Sequence, residues 1–347
     1  MAGTYNLNTC YVDSLLIPMK RYISIIVVLM MIGVARPASV VGARGGVLYV
    51  AFTVPGRLDI YDTSSKKKMG AIVVGQKPFD LALSPDQKWL AVSHLEEWDL
   101  IWIINRVTEE VVRKISIPYT RYRRRGETYL MFSPEGDRLY VVDSSIRFLN
   151  VITTSDWKLV KKIPLGIQPG PPVLSPDGRR LYVPNLYSHE IMVIDTITDD
   201  VIDSLKIEGY PSSVTPGPKG KLLYITDKEN NRVVVYDLSV RKVTTTIAVG
   251  IEPMNSLIPD GRYLYVLNTF SRNLSIIDTT INENVKTIPI GIIPKKMTLD
   301  TDRERLYVVS EAASVEVVDV KTWKQLKSIA TDITPSGIVF VPEGGKE

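Results

Sequence analysis

The chain has 347 residues, 45% of them hydrophobic and 23% charged, with a formal net charge of +4 at pH 7. These are the proportions of a folded globular protein; they exclude a disordered chain and one with many membrane spans, and the small net charge leaves any attraction to a polyanion to a local cluster. The single cysteine, Cys10, excludes a disulfide framework.

The first element in chain order is a leader. Lys20 and Arg21 precede an apolar run of thirteen residues, Tyr22 to Val34, and small residues follow up to Ala43. A basic start, an apolar stretch shorter than the roughly 20 residues of a membrane span and a small-residue exit are the order of a secretory signal. Residues 19–43 are therefore expected to be a signal peptide cut near Ala43, and the protein to be periplasmic or extracellular. Retained instead as a signal anchor, the same segment would provide the only membrane contact. Met19 stands directly before the basic pair, so residues 1–18 are expected to be an extension from a misplaced start codon. Without residues 1–43 the chain carries 39 basic and 37 acidic residues and no thiol, which removes thiolate nucleophiles, cysteine metal sites and covalent c-type haem.

From Val47 onward the sequence repeats. A Leu-Tyr-Val core recurs with its Leu at 48, 90, 139, 181, 223, 264 and 306, at intervals of 42, 49, 42, 42, 41 and 42 residues. Each interval holds an apolar alternation ending near an Asp (193–196, 235–238, 276–279, 317–320), then a second alternation closing on Gly and Pro (74–78, 165–169, 208–211, 249–253, 290–294). Last comes a tight turn such as Ser-Pro-Asp-Gly at 175–178. The apolar spacing is two, not 3.6, and Pro, Gly, Asp and Asn supply the turns, so each unit predicts four short strands. Four strands in about 40 residues is one propeller blade, and its sheet cannot cover both faces without neighbours. The first unit begins at its second strand, and the chain ends with a spare first strand at 336–341. Residues 44–347 are thus predicted to form one all-β, seven-bladed propeller, with four antiparallel strands per blade and a ring closed by the C-terminal strand joining blade 1.

These units resemble the YVTN repeats of seven-bladed propellers found in surface-layer proteins, in periplasmic YncE-like proteins and, more remotely, in subunits of exported quinoprotein amine dehydrogenases. The nearest copies are Leu-Tyr-Val-Pro-Asn at 181–185 with Val-Ile-Asp-Thr at 193–196, and Leu-Tyr-Val-Leu-Asn at 264–268 with Ile-Ile-Asp-Thr-Thr at 276–280. The resemblance runs from Val47 to Val341 and implies a fold; its motif consists of core and turn residues, which leaves function open.

Loops from strand two to strand three, and from strand four to the next blade, should share the rim of the channel mouth, where function gathers in such a scaffold. The long interval comes from an insertion between blades 2 and 3, residues 118–126, that gathers Tyr119, Arg121, Tyr122, Arg123, Arg124 and Arg125. Arginine forks with tyrosine faces suit an anionic ligand, single-stranded nucleic acid included. Beside it the second-to-third-strand loop of blade 2 reads His94, Leu95, Glu96, Glu97, Trp98. The two glutamates are expected to pair with the arginines; in the alternative reading this acidic and aromatic loop shapes a ligand mouth, with His94 and Trp98, and Tyr187 and His189 of blade 4, as contacts. His189, with Tyr187, occupies the equivalent loop of blade 4, and the two histidines are too far apart in the ring to share a metal. Phosphate loops, nucleophile elbows and dinucleotide fingerprints do not occur in the sequence. The expectation is a non-catalytic binding or scaffold protein of the cell envelope, without cofactor or metal, that meets a ligand or an envelope protein at the mouth. The alternatives from the resemblance are a redox, haem-handling or lactonase-like enzyme or its subunit, and a surface-layer component.

Overall fold

The computed structural model of the protein describes residues 45–95, 101–117, 126–300, 302 and 304–342. They form seven antiparallel sheets of four strands. In blades 2 to 7 the four strands follow one another from the channel outward, as in blade 2: Pro78–Leu83, Trp89–His94, Ile101–Asn105 and Glu110–Ile115. Blade 1 differs as expected. Its innermost strand is the last of the chain, Gly337–Val341, which pairs with Val47–Phe52 from Val47 opposite Val341 to Ala51 opposite Gly337. Main-chain hydrogen bonds between the two ends thus close the ring.

The second and third strands are apolar at almost every position because each face of a blade packs on a different neighbour. In Val47–Phe52, the side chains of Val47, Tyr49 and Ala51 join Leu81, Leu90 and Val92 of blade 2. Leu48, Val50 and Phe52 join Tyr307, Val309 and Val315 of blade 7. Period-two alternation therefore separates two neighbours here, not core from solvent. Seven such clusters follow one another round the ring.

The Tyr of the repeat also latches blades. The Tyr140 hydroxyl donates to Asp199 Oδ1 at 3.0 Å in the outer turn of blade 4, Tyr224 donates to Asn282 Oδ1 at 3.1 Å in blade 6, and Tyr265 to the Val320 carbonyl at 3.0 Å in blade 7. Blade 2 carries Ala91 at this position. There the gap toward blade 3 is bordered by Trp89, edge-on to Trp157 with ring centroids 5.8 Å apart, so these two tryptophans serve packing. The recurrent Asp also keeps its expected turn role: Asp195 Oδ1 accepts from the amides of Ile197 and Thr198, both at 2.9 Å.

In all seven blades the pairing of third and outer strand slips by a residue. Such bulges add twist and let the outer strands splay away from the channel. The innermost strand of blade 4 is only Val173–Leu174; Pro171 and Pro172 before it have no amide hydrogens to give a ladder. No helix among the described residues is long and apolar enough to cross a membrane.

Candidate functional site

The innermost strands and the loops beside them line an open cavity of about 630 Å³ at the end of the channel where the second-to-third-strand loops and the inter-blade loops emerge. Phe79, Tyr129, Met131, Met254, Met297 and Pro172 form much of its apolar wall. Among the described residues, the charged groups on it are Asp80, Glu127, Glu252, Lys295 and Lys296.

Each of these groups has a partner, on the wall or next to it. Lys296, on the innermost strand of blade 7, reaches past blade 1 to Asp80 of blade 2, Nζ to Oδ1 2.7 Å, and donates to the Phe79 carbonyl at 2.8 Å. Its ammonium lies 4.0 Å from the Phe79 ring centroid, an attractive cation–π placement. The other Asp80 oxygen accepts from the Leu130 amide of blade 3 at 2.9 Å, so one carboxylate ties three blades together. Glu127 accepts a short hydrogen bond from the Tyr129 hydroxyl. Desolvation, reinforced by the Glu127 charge, pushes the Tyr129 phenol well above its ordinary range and keeps it a donor. Lys228 pairs with Glu252 at 2.7 Å. Burial works against the Lys228 charge, yet the Glu252 carboxylate bonded to it raises the ammonium above its usual range. Lys295 faces Glu311 at 3.4 Å.

Among the described residues, the rim around this cavity exposes several apolar side chains. Val54, Ile167, Tyr187, Ile251, Phe270 and Ile292 all lie on loops of this face and are between 47% and 71% exposed. Three of them share a local cause. In Gly-Ile-X-Pro at 166–169, 250–253 and 291–294 the X residue, Gln168, Glu252 or Ile293, takes a left-handed conformation with φ of 54°, 59° or 51°. The turn leaves the Ile side chain outside. The facing loops of blades 4 and 6 read Asn-X-aromatic-Ser, at 185–188 and 268–271. Their serines accept from the isoleucine amides, Ile167 N to Ser188 Oγ and Ile251 N to Ser271 Oγ, both 2.6 Å. A Cβ on Gly166 or Gly250 would stand 2.8 Å from the Asn185 or Asn268 side chain, which explains the glycine at both sites. Apolar residues are exposed elsewhere too, for instance Val201, Ile202 and Val243 on outer strands. What distinguishes the mouth is the conjunction of a repeated turn with a cavity behind it.

The sequence-chosen residues meet this site unevenly. Trp98, Tyr119, Arg121, Tyr122, Arg123, Arg124 and Arg125, with Glu96 and Glu97 expected to pair with the arginines, lie outside the described residues. His94 is corrected: it ends the strand Trp89–His94, is fully buried, hydrogen-bonds the Val74 carbonyl and packs on Trp102 with centroids 5.3 Å apart. A side chain so engaged packs the blade and offers nothing to a ligand at the rim. Tyr187 and His189 are exposed and lie together with Tyr210: His189 and Tyr210 centroids are 4.7 Å apart, Tyr187 and Tyr210 6.3 Å. His189 Nδ1 is 2.7 Å from the Gly209 carbonyl, to which it donates. No group of three or more His, Cys, Asp or Glu among the described residues is arranged to hold a metal.

Sequence reasoning missed the Asp80–Lys296 pair and the isoleucine rim. The pair joins residues 216 positions apart and has no local signal. The rim had one: the Ile inside the Gly-to-Pro closure was read only as part of a turn.

No protein-family model and no curated protein matches the chain. Among solved structures it is similar to hydrazine synthase of Kuenenia stuttgartiensis, with 19% identity, a TM-score of 0.64, and 78% of this chain and 96% of that one covered. It is similar also to the dihydro-heme d1 dehydrogenase NirN in complex with DHE, with 13% identity, a TM-score of 0.65, and 84% and 74% covered. A functionally unknown protein from Desulfotomaculum acetoxidans DSM 771 gives 14% identity, a TM-score of 0.72, and 85% and 98% covered. At these identities the likeness is one of fold, and the chain is a seven-bladed β-propeller.

Proposed function

We propose that the protein is a non-catalytic recognition protein whose channel-mouth face docks a partner protein. The observation that carries the reading is the division of labour at the mouth: ionisable groups round the channel pair with each other, while Ile167, Ile251, Ile292, Tyr187 and Phe270 are held out to solvent on hydrogen-bonded turns. Catalysis by acid and base needs titratable groups aimed at a substrate, whereas protein interfaces are built round aliphatic and aromatic anchors on rigid supports. Export to the cell envelope belongs to the same proposal and rests on residues 19–43. The arginines at 121 and 123–125 enter the chain between two strands that end at this face, and in this reading they meet acidic groups of the partner.

The test is affinity capture from the native envelope with the full chain. A partner retained by the wild type should be lost with Ile251→Ser, Phe270→Ser and Ile292→Ser together, and retained with Val201→Ser, Ile202→Ser and Val243→Ser on the outer strands. Capture that survives the rim variant rejects the docking face. Salt-sensitive binding of an oligothymidylate probe that disappears when Arg121, Arg123, Arg124 and Arg125 become Ala would move the function to nucleic acid.

A further inference from the structure

The cavity beneath the rim is a separate feature. We propose that it is a binding site for a small, uncharged, largely apolar molecule that offers one carbonyl oxygen to the Lys296 ammonium. Four observations lead there. First, 630 Å³ falls among ordinary small-molecule pockets, about 300–1,000 Å³, and the space is walled by the innermost strands, which hold its shape. Second, Met131, Met254 and Met297 come from three different blades to the same space, beside Phe79 and Tyr129. Thioethers and ring faces together favour an unsaturated or aromatic body.

Third, an ammonium has three N–H groups. Lys296 directs two to Phe79 O and Asp80 Oδ1, and no acceptor for the third stands among the described residues. The Nζ atom is fixed by those bonds and by the Phe79 ring, so its remaining donor is preorganised for a ligand oxygen. Fourth, the sign of the surroundings selects the kind of oxygen. Asp80 already holds the ammonium, and Glu127 and Glu252 lie on the same wall. A second carboxylate or a phosphate would compete with Asp80 for an ammonium that is already neutralised and would face the Glu127 charge, whereas a ketone, ester or amide oxygen accepts the hydrogen bond without bringing a charge. Tyr129 cannot replace Lys296, because its hydroxyl hydrogen goes to Glu127.

Ile251, Phe270 and Ile292 of the rim do not line the cavity, so the inference and the docking face can fail independently. The probe is Nile red, an uncharged planar fluorophore with one carbonyl, titrated into the full chain. The expected result is saturable one-to-one binding with blue-shifted emission. Met254→Trp, which fills the cavity, should weaken it at least tenfold while leaving the thermal transition in place. Lys296→Met together with Asp80→Leu, which removes the donor without stranding a buried charge, should weaken it about tenfold relative to wild type. The rim triple variant should bind the dye as the wild type does. Dye binding that does not saturate, that survives Met254→Trp in a folded protein, or that vanishes in the rim variant would overturn the site. Equal dye affinity after removal of Lys296 and Asp80 would overturn the carbonyl contact.

Discussion

Closure by the last strand makes a definite prediction for Phe340→Ala. Phe340 is 8% exposed, pairs opposite Leu48, stacks on Tyr307 with centroids 6.3 Å apart and planes 18° from parallel, and belongs to the cluster between blades 7 and 1. Truncating a buried Phe to Ala costs about 3–5 kcal/mol, part transfer and part cavity. Unfolding entropy near 2.1 cal/mol/K per residue gives roughly 0.6 kcal/mol/K for about 300 ordered residues, so the melting temperature should fall by about 5–8 °C. Because the strand joins the two ends of the ring, the loss should register everywhere. The transition followed by far-ultraviolet circular dichroism and that followed by tryptophan fluorescence, which reports Trp89, Trp102 and Trp157 in blades 2 and 3 as well as Trp98 and Trp323, should move together. Val285→Ala on the outer strand of blade 6, 39% exposed, is the control and should shift the midpoint by less than about 0.5 kcal/mol. A fall of under 1 °C for Phe340→Ala, or a fluorescence transition that stays put while the dichroism signal moves, would show that the ring does not depend on its closing strand.

Tyr140→Phe removes a hydrogen bond to the buried Asp199 carboxylate and should cost about 1.5–3 kcal/mol in urea unfolding, whereas Tyr265→Phe, which loses only a bond to a backbone carbonyl, should cost about 1 kcal/mol; equal effects would discount the charge. Stability should decline above pH 10. Burial pushes the Tyr49 and Tyr61 phenols up to about 12, and Tyr140 and Tyr265 are raised further by the same cause. Between pH 10 and 12 the unfolded chain gives up protons that the folded chain keeps. Their stabilising contribution is therefore complete below pH 10 and is lost as pH rises, by up to about 1.4 kcal/mol per pH unit for each such tyrosine. A urea midpoint that is the same at pH 9 and pH 11 would contradict this.

The number of blades, the four strands of each and the closure at blade 1 were legible in the sequence because they are local and repeated: Leu-Tyr-Val every 42 residues or so, a turn after each strand, and one strand left over at the end. Turn chemistry was equally legible, as the Asp195 carboxylate shows. What only the tertiary structure decided was which side chains the ring brings together. The sequence could not show that Lys296 crosses from blade 7 to Asp80 of blade 2, because the contact depends on the curvature of the closed ring, with no fixed spacing along the chain. Nor could it show that His94 is buried and His189 exposed. His94 is the last residue of its strand, where Trp102 and the Val74 carbonyl enclose the ring, whereas His189 stands beyond the strand Arg180–Asn185 and a short 3-10 turn, where a left-handed conformation turns it out beside Tyr210. Repetition specifies the scaffold through local energies; the mouth is made where different repeats meet, and its chemistry is set by distances that exist only once the ring has closed.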